Sequence, residues 1–196
     1  MDLETVLRQK QSSILKNWFE LVIESYAGDT GQFLRRQKDP IANPVGGSIR
    51  EGLDGLFGGL VEAFRNRGAA GPMLDREALW PFMDRIVRIR ALQDFKPSAS
   101  LAFIPGLKAV LRKAVGRQAE GADLAALESL VDDLLFLGFD VYAACREDLF
   151  NIRVKDEQRR IHLLLRRAKL IGEKEGEEIE LPDLRPGGPR TNDQER

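Results

Sequence analysis

The sequence contains very few of the residues that carry metal-site and nucleophilic chemistry. One cysteine, Cys145, and one histidine, His162, occur among 196 residues, so we expect neither an internal disulfide nor a zinc site. Arginines surround His162 in the sequence, and their charge disfavours a bound cation. No P-loop or dinucleotide-binding pattern is present. We therefore predict that the protein is not an enzyme and has no metal, haem or other cofactor.

Long apolar runs and a charge imbalance are also missing. No stretch approaches the ~20 apolar residues that span a bilayer. The first residues, Met1 to Glu4, lack the basic and apolar regions of a signal peptide. The net charge is −1, so no overall field attracts the chain to nucleic acid or membranes. We expect a cytoplasmic protein without a membrane span.

The residues that are abundant favour helices. Hydrophobic residues make up 43% and charged residues 31% of the chain, which is typical of a folded globular protein. Leu, Ala, Arg and Glu dominate, and period-2 alternation is almost absent, so an all-α fold is predicted. We expect Pro81 to delay or kink its helix and Pro105 to bend its own. The predicted helices cover roughly residues 2–26, 30–37, 48–65, 75–96, 98–116 and 123–171, and Asp75 is the predicted cap of the fourth. Two prolines and two glycines within residues 38–47 predict a turn before the third helix.

Three glycines of the third predicted helix lie on one face. Gly52, Gly55 and Gly59 follow at spacings of three and four residues, which places them on one side of a helix. Each glycine disfavours the helix by about 0.5–1 kcal/mol relative to alanine. The pattern favours close approach of another helix, and the alternative is a ligand that rests on the glycine face.

The last predicted helix is too long for its own domain. Its apolar residues form a heptad-like series that suits packing along another helix: Leu127, Val131, Leu134, Gly138, Val141, Cys145, Leu149 and Ile152. A polar stretch follows, and apolar residues resume at Ile161, Leu164 and Leu165. We predict a helical domain over residues 1–152, an extension over 153–172 that contacts a second copy or a partner, and a disordered acidic tail over 173–196.

Two polar clusters are candidate interaction sites. In the first, Arg88, Arg90 and Asp94 lie on one predicted helix, where Arg90 and Asp94 are four apart and can form an ion pair. This cluster is either a solvated face or a binding face. The second includes Arg153 and Arg160 on the extension. We do not expect nucleic-acid binding there, because an acidic tail follows and no aromatic residues interleave the arginines.

Four stretches carry a resemblance to a known family. They are Phe33 to Gly46, Arg88 to Phe95 with Pro97 and Ser98, Phe139 to Glu147, and Arg153 to Ile171. Together they resemble the N-terminal sensor domain of RsbT co-antagonist proteins of the RsbRD type, over roughly residues 1–172.

The resemblance implies a globin-like fold without haem, a dimer, and relay of a signal through the terminal helix to an output module. In the co-antagonists that module is a STAS domain, whereas about two dozen residues follow the helix here. We therefore expect the chain to act in trans on a protein partner, such as a kinase, an anti-sigma-type regulator or another complex of a bacterial stress response.

Three functions follow from these observations. The first is a non-enzymatic, dimeric regulatory sensor or adaptor. The second is a helical domain that binds a small apolar ligand, and the third is a nucleic-acid or membrane-surface binder that uses the basic helix. The first is our main hypothesis, and the second is the alternative.

Overall fold

The structure is a computed structural model that describes residues 3–26, 28–36, 42–68, 71–93, 95–116 and 121–168. These residues form seven α-helices and no β-strand, which confirms the predicted all-α fold with a long C-terminal helix. The helices are α1 (Leu3–Glu24), α2 (Gly28–Arg36), α3 (Pro44–Arg65), α4 (Arg76–Leu92), α5 (Pro97–Leu101), α6 (Phe103–Val115) and α7 (Ala122–Arg167).

The chain divides into two units, Met1–Ile152 and Arg153–Arg196. Within the described ranges, the buried hydrophobic core belongs to the first unit and includes Trp18, Phe57 and Phe64. The predicted role of residues 153–172, contact with a second copy or a partner, stays a prediction, as does the role of residues 1–152 as a separate helical domain. The predicted tail and the predicted end of the last helix near Ile171 lie outside the described residues.

The helix α3 begins four residues earlier than predicted. We expected a turn up to Gly47, but the helix starts at Pro44. The buried Asn43 is its N-cap, because its Oδ1 accepts a hydrogen bond from the backbone N–H of Gly46 at 2.8 Å. Proline is well tolerated at the first helical position, where its missing N–H has no intrahelical partner. The prolines and glycines that predicted a turn therefore belong partly to a helix start.

The glycine face of α3 lies against α4. A Cβ atom at Gly52 would come within 2.7 Å of the Ile86 side chain, and one at Gly55 would overlap the ring of Phe82. Gly59 meets Leu79 in the same way. The prediction of a close helix crossing is confirmed, and the alternative of a ligand on this face is wrong because α4 occupies it.

Pro105 does not bend a single long helix. The predicted helix over 98–116 is interrupted at Ala102, and Pro105 is the third residue of α6. The N–H groups of the first turn have no intrahelical acceptor, so proline removes no helix hydrogen bond there. Pro81 lies inside α4, which does not start late: it follows its predicted cap, Asp75, whose Oδ1 accepts from Ala78 N–H at 3.0 Å.

Candidate functional site

Three exposed phenylalanines lie on one side of α7. Phe136, Phe139 and Phe150 are 63%, 58% and 65% exposed. Their spacings of three and eleven residues place them within about 60° of arc on a helix of 3.6 residues per turn. The core-facing residues of α7, such as Val131 and Val141, lie on the opposite side and are buried. We call Phe136, Phe139 and Phe150 the phenylalanine face.

The second unit exposes apolar residues of its own. Ile161 and Leu164 are 55% and 62% exposed and, three residues apart, share a side of the helix. We call these two residues the C-terminal apolar cluster, because Leu163, which is 57% exposed, lies about 200° from Ile161 around the helix. The predicted interaction residue Leu165 is half-buried. Exposed apolar side chains that recur on a helix are typical of a surface that another protein covers.

Two of the basic residues of the extension have acidic neighbours three residues away. Arg153 and Arg160 are exposed, as predicted for a surface. Arg160 lies 3.2 Å from Glu157, and Arg159 lies 3.8 Å from Asp156. These i,i+3 pairs offset two of the six Lys and Arg charges among residues 153–168, so a positive charge remains on this part of the helix.

Arg88 connects α4 to α7. Its Nε donates to Asp84 at 2.9 Å, and its Nη1 lies 3.6 Å from a carboxylate oxygen of Asp148. The hydrogen bond to Asp84 is the main cause that raises the pKa of Arg88 above its ordinary value, and burial opposes it. The side chain is half exposed, so it combines a structural contact with a surface position.

Arg90 is buried, so the expectation of a solvated or binding face is wrong for this residue. It is 1% exposed and points away from Arg88, because two residues on a helix differ by about 200°. Its Nη1 donates to the carbonyl of Val22 at 3.3 Å, and its Nη2 donates to the carbonyl of Ala99 at 2.7 Å. Asp94, its predicted ion-pair partner, lies outside the described residues.

Aromatic rings surround the Arg90 guanidinium. Its Cζ lies 4.7 Å from the ring centroid of Phe95, 5.4 Å from Tyr26 and 6.0 Å from Phe103. Burial raises the pKa of Tyr26, while the Arg90 charge lowers it. Among the described residues, Tyr26 Oη, Arg90 Nε and Ser100 Oγ have no hydrogen-bond partner. Arg90 is therefore the centre of a polar region in the core rather than part of an exposed surface.

The described residues offer little to a metal or to nucleophilic catalysis. No group of three or more His, Cys, Asp or Glu among them could hold a metal ion. Cys145 is buried, and its Sγ lies 3.5 Å from Asp84 Oδ1. Burial, more than any nearby charge, raises the pKa of this thiol to about 11. The thiol is therefore protonated at neutral pH, which makes it a poor nucleophile.

The predicted residues do not form one site. Arg88 is at the surface between α4 and α7, Arg90 is in the core, and Arg153, Arg160 and Ile161 belong to the other unit. The phenylalanine face was not recognised as an interaction site from the sequence. Its signal was available, because Phe136, Phe139 and Phe150 follow a helical repeat that is out of phase with the core-facing residues.

Comparison with known proteins identifies a family. A family model described as RsbT co-antagonist protein rsbRD N-terminal domain matches residues 12–156, which is well over half of the chain. No curated protein and no solved structure matches the chain. None of the described helices has the length and apolar character needed to cross a membrane.

Proposed function

Because the chain belongs to the family of RsbT co-antagonist protein rsbRD N-terminal domains, as its motifs predicted, we propose that it is a regulatory protein of stress signalling. In this proposal it catalyses no reaction and relays a signal through contact between two copies of itself and with a protein partner. We place it in the cytoplasm, and we take its packing to be globin-like without haem, as the family resemblance implies.

The exposed phenylalanine face carries the proposal of a homodimer. Transferring a large apolar side chain from water to an interface is favourable by about 1.5–3 kcal/mol when burial is complete. Phe136, Phe139 and Phe150 are each more than half exposed in a single copy. Two copies that pair along α7 would remove the same rings of both from water, as in an isologous contact.

The size of this face indicates that it does not act alone. A buried aromatic side chain covers about 150–250 Å², so three half-exposed rings on each of two copies account for roughly 600 Å². Stable interfaces bury about 1,200–2,000 Å². We therefore propose that the C-terminal apolar cluster, Ile161 and Leu164, also contributes to pairing.

The same surfaces suit a helical protein partner. Apolar side chains at helical spacing are the residues that pack into a groove or against a second helix. A kinase, an anti-sigma-type regulator or another signalling complex is the class of partner that we propose. We do not propose nucleic acid, because acidic residues follow the basic stretch in the sequence, no aromatic residues interleave its arginines, and the net charge is −1.

A double substitution on the phenylalanine face tests the homodimer. Phe139→Glu with Phe150→Glu places two negative charges on each copy where the rings would pair. We expect the wild-type protein to sediment as a dimer at tens of micromolar and the variant to sediment as a monomer. Because both rings are exposed in one copy, the circular dichroism spectrum should not change.

A matched substitution elsewhere on the surface is the control. Met73→Glu adds a charge at a side chain that is 83% exposed and lies outside α7, and it should leave the sedimentation mass unchanged. A wild-type protein that is a strict monomer at tens of micromolar contradicts the homodimer. A double variant that is still dimeric contradicts the choice of face.

The glycine face was the first argument for the alternative function, a domain that binds a small ligand, and this argument fails. The glycine face is filled by side chains of α4. A different feature supports ligand binding, and it lies on the other side of α3.

A further inference from the structure

A cleft of about 540 Å³ opens between α1, α2 and α3. Its apolar lining includes Leu15 and Phe19 of α1 and Leu53 of α3. Sites for small molecules usually measure about 300–1,000 Å³ and combine apolar walls with a few polar groups. The volume and lining of this cleft therefore fit a small organic molecule. The cleft lies within the first unit, and its lining residues belong to α1, α2 and α3 rather than to α7.

The acidic side chains at the rim already have partners. Glu20, Glu51 and Asp54 line the cleft, and each accepts a hydrogen bond from a basic or amide side chain. These contacts are Arg35 Nε to Glu20 Oε2 at 2.7 Å, Arg85 Nη1 to Glu51 Oε2 at 2.7 Å, and Gln11 Nε2 to Asp54 Oδ1 at 3.1 Å.

Two cations at the rim form no ion pair with a carboxylate in the part of the chain that the structure describes. Arg50 stacks on the ring of Phe19, with Cζ 4.3 Å from the centroid, and its Nη2 donates to the Leu34 carbonyl at 3.1 Å. Burial lowers the pKa of Arg50, and nearby Glu20 acts in the opposite direction. Among the described residues, Lys16 forms no ion pair or hydrogen bond. Arg50 and Lys16 therefore keep N–H groups available for an anion.

We propose that this cleft binds a small molecule with one carboxylate group beside an apolar body. The carboxylate would accept hydrogen bonds from Arg50 and Lys16, because the planar guanidinium matches a carboxylate geometrically. The apolar body would lie against Leu15, Phe19 and Leu53. This binding goes beyond the proposed function and requires neither the homodimer nor a protein partner.

The charges of the rim determine which anions fit. Glu20, Glu51 and Asp54 line the same cleft as the two available cations, so the local field favours a ligand with a single negative charge. A polyphosphate would bring several negative charges close to these carboxylates, and like charges repel at such distances. A neutral ligand would leave Arg50 without its anion and would lose the charge-assisted hydrogen bonds.

Binding of naphthalene-2-carboxylate by the full chain, compared with neutral 2-naphthamide, tests the proposal. Amide chemical shifts of the ¹⁵N-labelled protein report where each compound binds. We expect saturable shifts in α1 and α3 around Leu15, Phe19 and Leu53. A charge-assisted hydrogen bond favours the acid over the amide by roughly tenfold in affinity.

A matched pair of charge reversals tests the role of the rim. Lys16→Glu should weaken binding of naphthalene-2-carboxylate by roughly tenfold or more, whereas Lys113→Glu should not, because Lys113 is exposed on α6 outside the cleft. Arg50→Lys keeps the charge but removes the planar fork, so it should weaken binding by less than Lys16→Glu does.

Three results would overturn the proposal. They are the absence of saturable shifts at about 5 mM ligand, equal affinity for the acid and the amide, and equal effects of Lys16→Glu and Lys113→Glu. The sedimentation mass of the same samples reports the homodimer separately. A cleft that does not bind the carboxylate is therefore distinguishable from a protein that does not form the proposed homodimer.

Discussion

At the scale of single residues, Arg90 shows how a charge is accommodated in a core without an ion pair to any described carboxylate. It donates two hydrogen bonds, one to the carbonyl of Val22 in the last turn of α1 and one to the carbonyl of Ala99 in α5. Helix C-termini carry about half a negative charge each, and the three aromatic rings add cation–π attraction. These interactions offset the desolvation that lowers the pKa of Arg90.

The substitution Arg90→Met should destabilise the fold by about 2–4 kcal/mol. It keeps most of the side-chain volume but leaves the carbonyls of Val22 and Ala99 without their donor in the core. Urea unfolding followed by circular dichroism measures the change in the free energy of unfolding.

Arg88→Met on the same helix is the matched control. Its ion pairs with Asp84 and Asp148 are half exposed, and such pairs contribute about 1 kcal/mol or less. Equal losses for the two variants would contradict the view that burial makes Arg90 the more important contact.

At the scale of elements, the crossing of α3 and α4 depends on which glycines face the partner helix. Gly55 faces the ring of Phe82, whereas a Cβ at Gly58 would meet no atom within 4 Å. The two residues belong to the same helix and are both unfavourable to it by about 0.5–1 kcal/mol relative to alanine. The difference between them is therefore one of packing alone.

We predict opposite effects for alanine at these two positions. Gly58→Ala should stabilise the protein by about 0.5–1 kcal/mol, because it removes backbone freedom from the unfolded chain at no steric cost. Gly55→Ala should destabilise it by about 1–3 kcal/mol, because the methyl group overlaps Phe82. Thermal unfolding measures both. A stabilising Gly55→Ala would show that α3 and α4 can separate without cost.

The helix α7 has two apolar sides with different roles. The heptad-like series predicted to pack along another helix is buried from Leu127 to Cys145, and Gly138 of this series contacts Ile104. The first unit therefore covers this side itself. The opposite side carries the phenylalanine face, which stays exposed and is available to a partner.

At the scale of the whole molecule, stability and association depend on different residues. The buried core belongs to the first unit, while Ile161 and Leu164 of the second unit are more than half exposed. Exposed side chains contribute little to the stability of a single copy. They become important only when another surface removes them from water.

The double substitution Ile161→Glu with Leu164→Glu should therefore separate the two properties. We expect the free energy of unfolding of the monomer to change by about 0.5 kcal/mol or less, and the dimer dissociation constant to rise by roughly tenfold or more. Sedimentation and urea unfolding measure these quantities. An unchanged dissociation constant would exclude the C-terminal apolar cluster from the interface.

The sequence by itself determined the helical class, the cap at Asp75, the close approach at the glycines of α3 and the long last helix, because helix formation depends on residues three and four apart. The local sequence also indicates the start of α3, because the N-cap residue Asn43 is followed by Pro44. The motifs shared with the family identified it correctly.

Only the tertiary structure decided the position of Arg90 and which sides of α7 are covered. Arg90 reads as a surface arginine among Arg85, Arg88 and Asp94, and the carbonyl of Val22 that it binds is 68 residues away in the sequence. The cleft likewise combines Lys16 of α1 with Arg50 of α3. Burial and pairing of charges depend on groups that chain folding brings together from distant positions, so no local pattern specifies them.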